Sequence, residues 1–376
     1  MIYLDSAATT PVRREAIEAM WPYLTGEFGN PSSHHRIGEA AAAALLDARR
    51  AVASWLGSRA SEVVFTSGGT ESDNLAIKGL ALGAPRGRHL VTSPIEHEAV
   101  LESVDYLRRF HGFEVTMAEV GHEGVVTPEA LRRVIRPDTT LVTLAYANNE
   151  VGTVQPIAEL AAVAHESGAL VHTDAVQAAG WLDLSVRELG VDALSLSGHK
   201  LGAPKGVGVL YVRGRLALEP LLHGGGQERG ARSGTENVAG AVALAAAARL
   251  AEAERADVAA RVTALRDDFI DAVLAAVPRA LLTGARHERL PNSASFCFPG
   301  TSGESVLLDL EERGIVSSSG SACAAGSDEP SHVLVALGYA PEVAQTAVRF
   351  TLASTTTPAD LAATLQSLTQ IFSSRE

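Results

Sequence analysis

The feature that most constrains this chain is an alternation. Short apolar runs rich in branched residues are separated by Ala-rich stretches of helical period. The runs are Glu62 to Thr66, His89 to Thr92, Leu141 to Leu144, Leu170 to Thr173 and Ala193 to Leu196. Continuous apolar runs interleaved with helices predict βαβ units and a mostly parallel sheet covered on both faces. Ligands of such sheets bind beyond the carboxyl ends of the strands, so the polar residues that follow each run are the ones to examine.

After Asn237 the texture changes. Residues up to Val277 read as one or two long helices, with Val258, Val262, Leu265 and Phe269 at helical spacing and Pro278 as the stop. Shorter elements follow: Ser293 to Phe298, Val306 to Arg313, Ile315 to Ser317 and Val348 to Leu352. A domain boundary is expected inside the long helical stretch, giving a large domain of residues 13–250. Residues 1–12 with 251–376 form a smaller one. The piece Ile2 to Leu4 is expected to pack with the C-terminal part.

Composition narrows function mainly by exclusion. The net charge is −13 with no basic block, which disfavours a phosphate-neutralising nucleic-acid surface. No stretch is long and apolar enough to span a bilayer, and the first residues have no signal-like core, so a cytoplasmic location is expected. There are two cysteines. Cys297 lies among large apolar side chains and reads as a small buried hydrophobe. Cys323 lies in a Ser/Gly/Ala run with nothing bulky to bury it and reads as an accessible loop thiol. Nothing near either has zinc-ligand spacing.

Lysine is scarce: only Lys78, Lys200 and Lys205. Lys200 ends Ser195-Leu196-Ser197-Gly198-His199-Lys200, where an apolar run gives way to small polar residues. It is either a surface lysine or an amine held at a strand end, able to form a Schiff base. Asp174 follows another run, as a helix N-cap or as the anionic partner of a protonated pyridine nitrogen. Thr66-Ser67-Gly68-Gly69-Thr70 joins a strand to a helix, and such a turn offers backbone N–H groups to an anion. Alone this signal is weak, and it lacks the lysine of a Walker loop. His97, between Glu96 and Glu98, is a solvated helix start or an imidazole that stacks on a ring. Arg349 interrupts an alternating apolar strand, as an edge residue or as a fork for a carboxylate.

Taken together these segments resemble the cysteine desulfurase family, among the fold-type I, class-V aminotransferase-like pyridoxal enzymes. The resemblance runs from Tyr3-Leu4-Asp5-Ser6-Ala7-Ala8 nearly to the end. It includes Gly29 to His35, Thr66 to Ser72, Asn148-Asn149-Glu150-Val151-Gly152, His172 to Gln177, Ser195 to Lys200, Gly224 to Glu228 and Arg232 to Asn237. It closes with Ser318-Ser319-Gly320-Ser321-Ala322-Cys323, a form similar to the iron–sulfur-assembly branch.

The resemblance implies an α/β fold with a seven-stranded, mostly parallel sheet and a smaller α+β C-terminal domain. It implies pyridoxal 5′-phosphate as cofactor, L-cysteine as substrate, a homodimer with shared active sites, and a sulfur-acceptor protein as partner. Lys200 would hold the cofactor and move protons, and Asp174 would face the ring nitrogen. Gln177 would bond the ring hydroxyl, and His97 would stack on the ring. Gly69, Thr70, Ser197 and His199 would hold the phosphate, and Thr235 would reach the phosphate of the other subunit. Asn149 and Arg349 would orient substrate, and Cys323 would accept sulfur as a persulfide. Asp73 stands where the family commonly has Asn, and Ile95 where Thr is typical. The alternatives are a selenocysteine lyase or an aminotransferase on the same fold, or a binding protein that has lost catalysis.

Overall fold

The computed structural model describes residues 1–320 and 329–373. The strands are β1 (Ile2–Tyr3), β2 (Val63–Thr66), β3 (His89–Thr92), β4 (Glu114–Met117), β5 (Thr139–Ala145) and β6 (Leu170–Asp174). They continue as β7 (Ala193–Ser197), β8 (Gly208–Val212), β9 (Leu281–Leu282), β10 (Ser293–Cys297), β11 (Ile315–Val316) and β12 (Ala347–Thr351). Seven of them form one sheet in the order β2-β8-β7-β6-β5-β3-β4. Only β8 runs antiparallel to its neighbours, so the sheet is mostly parallel, as the alternation predicts.

Strands β2, β3, β5 and β7 are buried along their whole length, which is why they read as unbroken apolar runs rather than alternating ones. One apolar cluster gathers Val63, Val142, Val171, Leu194 and Leu244; another gathers Leu75, Leu90, Leu107, Leu141 and Leu210. Alternate residues of one strand, such as Leu141 and Val142, fall in different clusters, so the sheet is packed on both faces.

The stretch after Asn237 is a single helix, Val238–Ala276, of 39 residues, capped by the Asn237 side chain, which accepts from Gly240 N–H. It supplies Ala241 to Ala251 to the sheet's core and Val262, Phe269 and Ile270 to a third apolar cluster. That cluster also holds Leu4, Phe296, Phe298 and Phe350. Strand β1 pairs in parallel with β11, which carries the expectation that the first residues pack with the C-terminal ones. Strand β10 lies between β12 and β9 in an antiparallel sheet.

Candidate active site

The carboxyl ends of β2, β3, β5, β6 and β7 converge on a cavity of about 260 Å³. Each strand is followed by a short turn that delivers its side chains there. After β2 come Gly69 and Thr70, and after β3 comes His97. Asn149 follows β5, Gln177 follows β6, and Ser197 closes β7 ahead of His199 and Lys200. Asp174 is the last residue of β6. Arg349 and Gly320 enter from the C-terminal part, Ala7 and Ala8 from the N-terminal segment. Ten of the twelve residues singled out in the sequence therefore line one cavity.

The other two differ. Cys323 lies outside the described residues. Thr235 is exposed and does not line the cavity of its own chain; its expected contact was with a second subunit.

Lys200 is partly buried, and its Nζ donates to the carbonyls of Ala7 and, at 2.7 Å, Ala8. Two carbonyls hold the amine at the cavity wall without neutralising it. Asp174 is buried; its Oδ1 accepts from Val176 N–H at 2.8 Å. Burial raises its pKa, while His97, that N–H and Lys200 pull it back. His97 caps helix Glu98–His111, with Nδ1 accepting from Ala99 N–H at 3.0 Å. An accepting Nδ1 carries no proton, so in the neutral ring Nε2 holds it and the ring is fixed in orientation. His97 thus stands at a helix start and lines the cavity at the same time.

Helix Gly69–Gly83 begins at the cavity with no side-chain cap, because Gly68 has none to offer, so its first amides point outward as anion donors. The approach is tight: a Cβ on Gly69 would meet Val176 Cγ2 at 2.8 Å. His199 sits beside the same helix end across from Thr9, 3.1 Å from its hydroxyl. Burial, with Lys200 and Lys205 nearby, pushes its pKa down to about 4, so it is a neutral hydrogen-bonding group at neutral pH.

Arg349 is 2% exposed although β12 is at a sheet edge. Its Nη2 donates to Asp5 Oδ1 at 2.8 Å, and its Nη1 donates to the carbonyl of Asn149 at 2.7 Å and of Gly320 at 3.3 Å. Its Nε is buried with no acceptor among the described residues, which leaves one arm of the fork for a ligand carboxylate. Asn148 shapes the turn that carries Asn149: its side chain accepts from the N–H of Glu150 and Val151 and donates to the carbonyl of Ile95.

The other cysteine is inert. Cys297 is fully buried, and burial pushes its thiol up to about 12. Lys78 donates to Asn74 and lies over the Tyr106 ring, away from the cavity.

Four participants escaped residue-by-residue reading: the carbonyls of Ala7 and Ala8, the Asp5 carboxylate behind Arg349, and the cavity-lining Asp73. The N-terminal segment was visible only as part of a resembling motif, and Asp73 only as a departure from one.

Comparison with known proteins agrees along the whole chain. The family model for aminotransferase class-V matches residues 2–363. The chain is 47% identical to the cysteine desulfurase IscS of Dictyoglomus turgidum over 371 residues, 98% of this chain and 94% of that one. A solved NifS-like protein superposes with a TM-score of 0.92 at 37% identity, covering 99% of both chains. A second, solved as SspA in complex with cysteine, gives 0.82 at 38% identity over 94% of this chain and 99% of its own.

Proposed function

Since the chain belongs to the class-V aminotransferase family, and within it to the cysteine desulfurases, we propose that the cavity at the strand ends is where it takes sulfur from L-cysteine. The enzyme is a cysteine desulfurase of the fold-type I, pyridoxal-phosphate-dependent kind. The observation that carries the site reading is the convergence of Lys200, Asp174 and the open end of helix Gly69–Gly83 on one cavity.

The donor set fits pyridoxal phosphate. Helix amides at Gly69 and Thr70, with the Thr70 and Ser197 hydroxyls and neutral His199, would hold the phosphate. Asp174 would face the ring nitrogen, Gln177 the ring hydroxyl, and His97 the ring face. When bound, the group supplies an aldehyde that condenses with amines and a ring that absorbs charge from the substrate's Cα.

The protein's own groups do the rest. Lys200 would tether the group through its amine, and Nζ, held between the Ala7 and Ala8 carbonyls, would hold and move a proton at the substrate's Cα. Arg349, steadied by Asp5, directs its free Nε to the substrate carboxylate, with Asn149 beside it. Cys323, as thiolate, attacks the substrate sulfur; the substrate's C–S bond breaks and an S–S bond forms. One substrate cysteine and one enzyme thiol thus give alanine and an enzyme persulfide, with atoms balanced. The persulfide is passed to an acceptor protein of iron–sulfur assembly or tRNA thiolation. The enzyme acts as a cytoplasmic homodimer with Thr235 of one subunit completing the phosphate site of the other. Its working division is residues 13–250 against 1–12 with 251–376. No helix among the described residues is long and apolar enough to cross a membrane.

The direct test is to mix the purified protein with L-cysteine and measure alanine and sulfide together in the presence of a thiol reductant. Equal amounts are expected; pyruvate or a keto acid in place of alanine would point to another lyase or a transaminase. Borohydride reduction should fix the cofactor to the peptide containing Lys200, and label at Lys78 or Lys205 would overturn the assignment.

A further inference from the structure

Asp174 is not the only carboxyl at its wall of the cavity. Asp73, on helix Gly69–Gly83, lines the same cavity with only 1% of its surface exposed. Its Oδ1 has no hydrogen-bond partner among the described residues. One nitrogen of His172 stands 3.7 Å from that oxygen, yet this imidazole supplies no charge. Its Nδ1 is bonded to Thr143 Oγ1 at 2.8 Å and its Nε2 to Ser195 Oγ at 2.9 Å. Burial pushes its pKa down to about 3, so it is neutral.

The groups facing Asp73 come from three neighbouring elements. His172 and Asp174 belong to β6, Ser195 to β7, and Glu96 to the turn that precedes helix Glu98–His111. No cation is among them. Two carboxyls taken out of water in one cavity wall disfavour each other's ionisation, because each charge lacks solvent and repels the other. Which one ionises is decided by compensation. Asp174 accepts the Val176 N–H and feels both His97 and Lys200; Asp73 has only Ser195 on its side.

We propose that Asp73 carries the proton of a carboxyl pair with Asp174, acting as a positioning residue that leaves the pair's single negative charge on Asp174. Burial is the chief cause raising Asp73 well above the ordinary carboxylate range, and the Asp174 charge adds to it. What the charge on Asp174 serves rests on the cofactor reading given above; where the proton sits does not.

The test uses full-length protein with ¹³C-labelled aspartate carboxyls, followed by infrared or carbon magnetic resonance at neutral pH, before and after adding pyridoxal phosphate. One protonated aspartate is expected in both states, and Asp73→Asn should abolish it. Survival of that signal in Asp73→Asn would move the proton to Asp174 and overturn the proposal. Absence of any protonated aspartate in the unaltered protein would overturn it too, and Asp73→Ser, which also removes the carboxyl, replaces Asp73→Asn if that variant does not fold.

Stability gives a second readout. A buried acid with a raised pKa destabilises the fold as pH rises above its unfolded value, about 3.9. Asp73→Asn should therefore gain stability over the unaltered protein progressively above that pH; a constant loss at every pH would count against the proposal. Failure to release alanine would instead strike at the desulfurase reading and leave the proton assignment standing.

Discussion

At the scale of single residues, the proposed mechanism separates groups that react from groups that set their charge. Cys323 and Cys297 are both thiols, but Cys297 is held up at about 12 by burial and has no nucleophilic form at neutral pH. The expectation for Cys323→Ser is therefore specific. The variant should keep the yellow colour of the bound cofactor and lose sulfide release by at least a factor of ~100, the scale of losing a reacting group. Full activity would remove the persulfide step. Glu96 is a residue of the second kind. Its Oε2 accepts from Ala145 N–H at 2.7 Å and its Oε1 from Ser93 Oγ at 2.6 Å. Even so, burial pushes its pKa from an ordinary 4.5 to about 8. The folded protein then holds a proton that the unfolded chain releases, so stability falls as pH rises from 4.5 to about 8. Glu96→Gln should flatten that slope in urea titrations at several pH values. An unchanged slope would mean that Glu96 is ionised in the fold.

Among elements, the loop from Gly224 to Asn237 is tied down by the buried pair Arg49–Glu228 and the partly buried pair Arg232–Glu71 at 2.8 Å. Arg49, on helix Arg36–Trp55, makes a bidentate pair with Glu228 at 2.6 and 2.7 Å, and also donates to the Val63 carbonyl at 2.8 Å. Glu228 and Arg229 adopt positive φ (50° and 59°), a region that costs non-glycine residues energy and persists only where surroundings impose it. Arg49→Met would leave the buried Glu228 without its bidentate partner, with only the Phe65 N–H at 3.2 Å and the charges of Arg229 and Arg232 to compensate it. It should lower unfolding stability by about 3–5 kcal/mol, measured from the denaturant midpoint. A loss below about 1 kcal/mol would show that Glu228 is not dependent on Arg49. The loop also carries Thr235, so, if Thr235 serves a second subunit as proposed, the variant should weaken cofactor retention more than it perturbs the cavity residues of its own chain.

On the scale of the whole molecule, the proposed sharing of sites between two subunits makes a prediction that no single chain can satisfy. Lys200→Ala homodimers should be inactive and Thr235→Ala homodimers impaired. Hybrids made by unfolding and refolding a mixture should regain activity, because one of their two sites then has both residues intact. Absence of recovery in verified hybrids would argue that each site is complete within one subunit. The same scale separates what was legible from what was not. Strand runs, the long helix and the polar residues after each strand were readable because periodicity and turn chemistry are local properties of a segment. So Lys200, Asp174, Gly69 and His97 were identifiable as strand-end residues before any coordinates. Arg349 is different: its partner Asp5 is 344 positions away, and its burial at a sheet edge comes from the N-terminal segment laid across it. Asp73 reads as an ordinary polar helix residue, and only the packing of β6 and β7 against its helix removes it from water beside Asp174. The sequence by itself therefore determined the elements and the polar candidates at their ends, since these follow from residue type and short-range spacing, while the reacting roles are what the family resemblance implies. The tertiary structure alone decided which of those groups are desolvated together and which charge each can hold, because dielectric surroundings and partner distances are set by segments far apart in the chain.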